Sequence, residues 1–420
     1  MLIEGEFFYR GGVLACEDVD LPAIAAQYGT PCYIYSRKAI TSRFAEYKNA
    51  LDGIPSQVCF AVKANSNLAV LSLLARAGAG FDIVSGGELY RVLAAGANPA
   101  AVVFSGVGKT EEEIRFALER GIHSFNCESE WEIEQISRIA VGLGRTASIA
   151  IRVNPDVNAI THPYISTGLR EHKFGIDMNE AERIYAQALR LDGIRPEGVS
   201  CHIGSQLLDA GPLLEAADKV IALVERLRRQ GIAIRFLDLG GGIGVRYRPS
   251  DNVISIDQFI SHLRPKVESL RLTLMLEPGR SIVAEAGVLL CRVLLTKQNG
   301  KKTFVIVNAG MNDLIRPSLY GAHHEIIPVH EKSDETQTEA DIVGPVCETG
   351  DFFARHRSMA AVQPGDLLAI QTAGAYGFVL SSNYNSRPRA CELLVDSDKV
   401  QVIRQRETYD DLIRGELALS

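Results

Sequence analysis

Between about residues 58 and 280, short continuous apolar runs alternate with longer stretches whose apolar residues recur at helical spacing. The runs are CFAVKAN, GFDIVSGG, AVVFSG, IHSFNCES and ASIAIRVNP, then EGVSCHIGS, RFLDLGGG and LTLMLEPGR, eight in all. Between them lie NLAVLSLLARAG, TEEEIRFALERG and LLEAADKVIALVERLRRQG, and the first two close on the glycine that ends many helices. Phe60 and Phe81 stand 21 residues apart, and the next two runs follow at similar intervals. Unbroken apolar strands joined by helices predict a parallel sheet covered on both faces. Eight such units predict a (β/α)8 TIM-like barrel, an α/β fold, with a doubly wound open sheet as the competing architecture.

Past residue 285 the periodicity changes. GVLLCRVLLTKQ, KTFVIVNAG, HEIIPVH, DLLAIQTAGAY, ACELLVD and KVQVIRQRE are strand-like, with little helix between them. They predict an all-β domain, sandwich or barrel. The opening EGEFFYRGGVLACED is strand-like too. The expected organisation is an N-terminal segment, 1–35, adding strands to the β domain, a barrel over 36–281 and a C-terminal β domain over 282–420.

Length and composition permit this and narrow the class. A chain of 420 residues can hold two domains with sizeable cores. Its 46% hydrophobic and 23% charged residues are ordinary for a globular protein of enzyme size. A formal net charge of −7 argues against nucleic acid or an anionic membrane as partner. No apolar stretch reaches the ~20 residues of a membrane span. MLIEGEFFYRGG lacks the basic and apolar regions of a signal peptide. Eight cysteines without a CxxC pair predict reduced thiols and a cytoplasmic location.

In a barrel the active site lies at the carboxyl ends of the strands. Those ends read Lys63, Asp82, Ser105, Asn126, Arg152, His202, Gly240-Gly241-Gly242 and Glu277. Lys63 closes the apolar Phe60-Ala61-Val62. A lysine in such a place is suited to imine chemistry, since an unpaired buried ammonium is costly. The glycine triplet follows the seventh run and EPGR (277–280) the eighth, the usual place of a phosphate site in this fold. A tight turn is the alternative for the triplet. His202 reads either as a core histidine or as a ring stacked on a flat ligand. Glu277 ends an apolar run and must be paired or protonated. Arg280 is placed for a carboxylate or phosphate. In the β domain, Cys347 and Glu348 of GPVCETGD lie in a Gly- and Pro-bounded loop suited to proton transfer. Tyr376 stands among small residues in AGAYG, as if the backbone passed close to a ligand. One flat, anionic, phosphate-bearing group that forms an imine with lysine suits all of these: pyridoxal 5′-phosphate.

Nearly the whole chain resembles the diaminopimelate decarboxylases, barrel-fold pyridoxal-phosphate enzymes. FAVKAN, FDIVSGGEL, HPYISTG with KFGI, CHIGSQ, LDLGGGIGV, EPGRSIVAEAG, GPVCETGD and AGAYG occur in that family's order. The resemblance implies that Lys63 carries the cofactor as an imine, His202 stacks on its ring and Glu277 pairs with the ring nitrogen. It further implies that Gly240, Gly241, Gly242, Pro278, Gly279, Arg280 and Tyr376 bind around the phosphate, with Asp82 and Ser205 as supporting neighbours. Arg280, Arg316, Tyr320 and Tyr376 would bind substrate, Glu348 would take its distal ammonium, and Cys347 would return the proton. In the family the cysteine loop comes from the other subunit of a head-to-tail homodimer. Threonine stands in CETGD where serine is common, which barely touches the chemistry.

The implied reaction converts meso-2,6-diaminopimelate to L-lysine and CO2, the last step of lysine biosynthesis. Arg316 and Glu348 supply the cation and anion that a second amino-acid head requires. An ornithine or lysine decarboxylase would have no use for that arginine. A racemase shares the barrel and β domain but needs a two-base site. A non-catalytic cofactor carrier could stop at the barrel. A metal-dependent hydrolase needs clustered His and Asp at the strand ends.

Overall fold

The computed structural model describes residues 5–157, 173–332 and 337–419. The HPYISTG motif (162–168) lies outside them. Two compact units divide the chain, one of residues 43–245 and 252–281, the other of residues 1–42, 246–251 and 282–420.

The first unit is the eight-stranded parallel barrel. Its strands are β1 (Ser56–Ala61), β2 (Gly80–Ile83), β3 (Val102–Phe104), β4 (Ser124–Cys127), β5 (Ala147–Asn154), β6 (Ile194–Ser200), β7 (Phe236–Asp238) and β8 (Thr273–Leu276). Pairing runs from β1 through β5 in order, and β5 to β8 close back on β1 with Leu274 opposite Ser56. The doubly wound alternative is thereby excluded. Cys59, Val103, Ala150 and Phe236, one from each odd-numbered strand, pack with Met275 inside, the alternate-strand layering of this fold. A short strand, Ile176–Asp177, starts on the last residue of the KFGI motif and pairs with the end of β5.

Local sequence sets the helix starts that deliver each strand end. Asn67 accepts a hydrogen bond from Ala69 N at the start of helix Leu68–Arg76, and Asn65 Oδ1 accepts one from Asn67 N. The two asparagines after Lys63 therefore fix the turn that carries it. Thr110 and Glu113 form a capping box for helix Glu111–Arg120, which ends on Gly121 in the left-handed region.

The second unit is sheet-rich. Its main sheet runs Phe352–Ala360, Gln337–Val343, Lys302–Val307, Gly287–Asn299, Cys32–Ser36, Cys391–Asp396, Lys399–Arg404, with Leu367–Ile370 and Ile326–Pro328 branching from Gly287–Asn299. Residues 7–20 form a separate three-stranded antiparallel sheet. Gln337–Val343 and Phe352–Ala360 have no counterpart among the runs legible in the sequence, because polar residues interrupt them. They pair antiparallel, so the loop carrying Cys347 and Glu348 is a hairpin connection. No helix among the described residues is long and apolar enough to cross a membrane.

Candidate active site

Lys63 sits in a single 3-10 turn directly after β1. Ala61 pairs with Asp82 in the β1–β2 register. The Lys63 Nζ therefore reaches Asp82 Oδ2 at 2.7 Å, where Asp82 is fully buried and the lysine 40% exposed. A carboxylate thus holds the ammonium of a lysine that is still part exposed at the strand end.

Across the barrel, Asn126 Nδ2 donates to Ser105 Oγ at 3.0 Å, Asp238 Oδ2 at 3.2 Å and Glu277 Oε1 at 3.2 Å. Asp238 Oδ1 accepts Gly240 N at 2.8 Å. Two carboxyl groups thus share one amide inside the barrel. Burial pushes Glu277 well above the usual carboxylate range, and the neighbouring Asp238 and Asp82 add to it while Lys63 opposes. Burial likewise lifts Asp238 to about 6. Like charges this close cannot both ionise cheaply, so the pair favours keeping one proton, with Glu277 the more strongly raised. His202 is held well below the ordinary histidine value by burial first, then by Arg152 and Lys63, and is a neutral ring. Arg152 Nη1 is itself paired with Glu128 Oε1 at 2.9 Å.

The glycine triplet brings three strand ends together. A Cβ on Gly240 would stand 2.7 Å from Cys201 O, one on Gly241 2.3 Å from Glu277 O and one on Gly242 2.6 Å from Gly204 O. Side chains are excluded there by backbone, so the ends of β6, β7 and β8 meet main chain to main chain. Gly279 packs on Ala61 and Ala64 beside Lys63. Arg280 Nη2 donates to Ser205 Oγ at 3.2 Å, tying the loops after β6 and β8. Glycine main chain, an arginine, a neutral ring, a proton-bearing acid and a carboxylate-held lysine fit pyridoxal 5′-phosphate group by group.

Arg316, Tyr320, Cys347, Glu348 and Tyr376 all belong to the sheet-rich unit. Arg316 opens and Tyr320 closes one short helix. Ser318 Oγ of that helix donates to Gly350 O of the cysteine loop at 2.5 Å. The loop is built on Asp351, whose carboxylate accepts Val346 N at 2.7 Å and Met311 N at 2.6 Å. Cys347 and Glu348 are exposed at its tip, and Cys347 N donates to Asn385 Oδ1 at 2.7 Å. In AGAYG the small residues answer to the chain's own backbone: a Cβ on Gly374 would stand 1.9 Å from Val283 O.

Four features escaped the sequence reading. Asp238 was hidden in an apolar-looking strand. Lys109 and Glu132 form a buried pair at 2.5 Å. Glu128 holds Gly106 N and Gly175 N as well as Arg152. His324 and Tyr247 pack on Arg316. Only Asp238, next to the glycines, carried a signal: an acid closing a strand at the barrel mouth.

The family of the pyridoxal-dependent decarboxylases, through its pyridoxal binding domain, matches residues 37–284, more than half of the chain. That sets the class. A diaminopimelate decarboxylase of Pseudomonas aeruginosa is 55% identical over 413 residues, covering 98% of this chain and 99% of the relative. Among solved structures, diaminopimelate decarboxylase from Helicobacter pylori complexed with L-lysine superposes with a TM-score of 0.90 at 45% identity, over 94% of this chain and 98% of that one. The M. jannaschii diaminopimelate decarboxylase with L-lysine gives 0.94 at 38% identity, over 100% and 99%. The chain belongs to the diaminopimelate decarboxylase family.

Proposed function

We propose that this protein decarboxylates meso-2,6-diaminopimelate to L-lysine and CO2, completing lysine biosynthesis. The observation that carries the reading is Lys63 on Asp82, in the same barrel mouth as the proton-bearing Glu277. Pyridoxal 5′-phosphate, bound there, supplies the electron sink for the carbanion left when CO2 departs. Lys63 Nζ would be its anchor. Asp82 keeps Lys63 oriented. Glu277, its direction fixed by Asn126, would hold a proton at the ring nitrogen. His202, neutral and flat, would stack on the ring. Gly240, Gly241, Gly242, Pro278, Gly279 and Arg280, with Tyr376, would hold the phosphate, and Ser205 steadies Arg280.

Arg316, with Tyr320, Arg280 and Tyr376, takes the carboxylate of the substrate's second head, and Glu348 its ammonium. Cys347 Sγ delivers the proton to the carbon that lost CO2. The exposure of Cys347 and Glu348 at a hairpin tip supports the further reading that the loop serves the partner's site in a head-to-tail homodimer. Eight unpaired cysteines, seven of them buried, support a cytoplasmic location.

Borohydride reduction of the cofactor-loaded protein, followed by peptide mass mapping, tests the anchor. The cofactor's mass is expected on the peptide containing Lys63 and on none in Lys63→Ala. Labelling of another lysine would overturn the assignment.

A further inference from the structure

Arg316 is held by groups that its proposed role does not itself demand. Its Nη1 lies 2.8 Å from His324 Nε2, and its guanidinium carbon lies 4.7 Å from the centre of the Tyr247 ring. Tyr247 and His324 meet edge to face, with ring centres 5.3 Å apart and planes at 79°. The other nitrogen of the imidazole, Nδ1, lies 2.8 Å from Gln371 O. His324 is completely buried and Arg316 only 6% exposed.

These contacts determine the state of the imidazole. A guanidinium N–H only donates and a carbonyl oxygen only accepts. Nε2 must therefore be the acceptor and Nδ1 must carry the hydrogen, so His324 is a neutral ring in one tautomer. The charged groups that contact it include the Arg316 guanidinium at Nε2 and Arg357, whose Nη2 donates to His324 O at 3.1 Å. His323 and Glu325 flank it in sequence and contact each other at 3.1 Å. A second proton on His324 would remove the acceptor and set two cations against each other.

We infer that His324 is a positioning residue for substrate selection: its Nε2 lone pair aims the Arg316 guanidinium at the distal carboxylate of the substrate. The inference rests on the proposed role of Arg316. Its physical content is that a neutral acceptor fixes the direction of a cation without cancelling its charge. A carboxylate in the same place would fix it equally well and would compete with the substrate. The Tyr247 ring acts in the same sense, attracting the cation through its face while remaining uncharged. Pairing of a carboxylate with arginine depends on the direction of the planar fork, so the anchor governs selectivity as well as affinity. Whichever head loses CO2, the lysine product keeps the other head, so product binding depends on the same anchor.

The test uses His324→Leu, His324→Gln and Arg316→Ala in the cofactor-loaded enzyme. Glutamine can present an oxygen to Arg316 and an N–H to Gln371 O, whereas leucine can do neither. His324→Leu is expected to raise KM for diaminopimelate and the inhibition constant of lysine each about tenfold, the loss of about one hydrogen bond's geometry. The change in kcat should be smaller, and His324→Gln should recover most of the loss. An unchanged KM in His324→Leu overturns the inference, as does equal impairment in both variants. A fall in kcat and cofactor occupancy in step with KM also overturns it, since that is general damage to the unit. Arg316→Ala separates the two layers: if it leaves KM for diaminopimelate unmoved, the role of Arg316 fails. If it raises KM while His324→Leu does not, only the role of His324 fails.

Discussion

Lys109 is the side chain whose removal should do most damage without touching a ligand. It lies just past β3 and its ammonium makes three hydrogen bonds, to Gly106 O at 2.8 Å, Asn126 O at 3.0 Å and Glu132 Oε1 at 2.5 Å. The two side chains are 1% and 8% exposed. All three ammonium donors are thus used where water does not reach. Lys109→Met keeps the stem and removes the charge, leaving the Glu132 carboxylate to the backbone N–H of Glu128. Breaking a buried ion pair from one side costs about 3–5 kcal/mol. Lys109→Met combined with Glu132→Leu removes both charges and should recover at least about 1 kcal/mol of that, because no unpaired ion remains. The assay is urea unfolding followed by the fluorescence of Trp131, the single tryptophan, which adjoins Glu132 in the first turn of helix Glu130–Gly142. Activity of the single variant should fall as well, since Lys109 holds the carbonyl of Asn126, whose side chain bridges Asp238 and Glu277. A cost below about 1 kcal/mol, or a double variant no better than the single one, would refute the reasoning.

Cys347→Ala should slow product formation far more than it weakens cofactor binding, and equal losses in both would move the proton donor elsewhere. Mixed with Lys63→Ala under conditions of subunit exchange, it should regain about a quarter of wild-type activity if sites are shared across a two-fold dimer; no recovery would count against shared sites. In the cofactor-free protein, Asp238 binds its proton more tightly when folded, about 6 against 3.8. Stability from this group is therefore present at low pH and is lost as pH rises through that interval. The wild type should lose stability relative to Asp238→Asn over that range, and parallel pH profiles would contradict the raised proton affinity of Asp238.

The barrel was legible because a parallel strand buried on both faces is apolar without interruption, as in β3 (VVF) and the LML of β8, and its polar end stands out against the run. Lys63 and Glu277 stood out on that ground. The strands flanking the Cys347 loop were not legible, since QTEADIV and FFARHRSMA mix exposed polar with buried apolar positions and match no single period. Asp238 was masked by its apolar neighbours, although its burial is what raises its proton affinity. Pairs such as Lys109 with Glu132 or Arg316 with His324 join residues by folding, and either lysine or arginine alone reads as a solvated charge. The glycines of AGAYG illustrate the converse. Small residues announced a close approach, and the partner is the chain's own backbone at Val283.

The most direct test is CO2 release by the cofactor-loaded protein from meso-diaminopimelate, with lysine, ornithine and arginine in parallel. Release from diaminopimelate alone, with lysine accumulating in equal amount, is the expected result. Release from ornithine or lysine at a comparable rate would contradict the reading of Arg316 and Glu348, and no release from any of the four would contradict the decarboxylase itself.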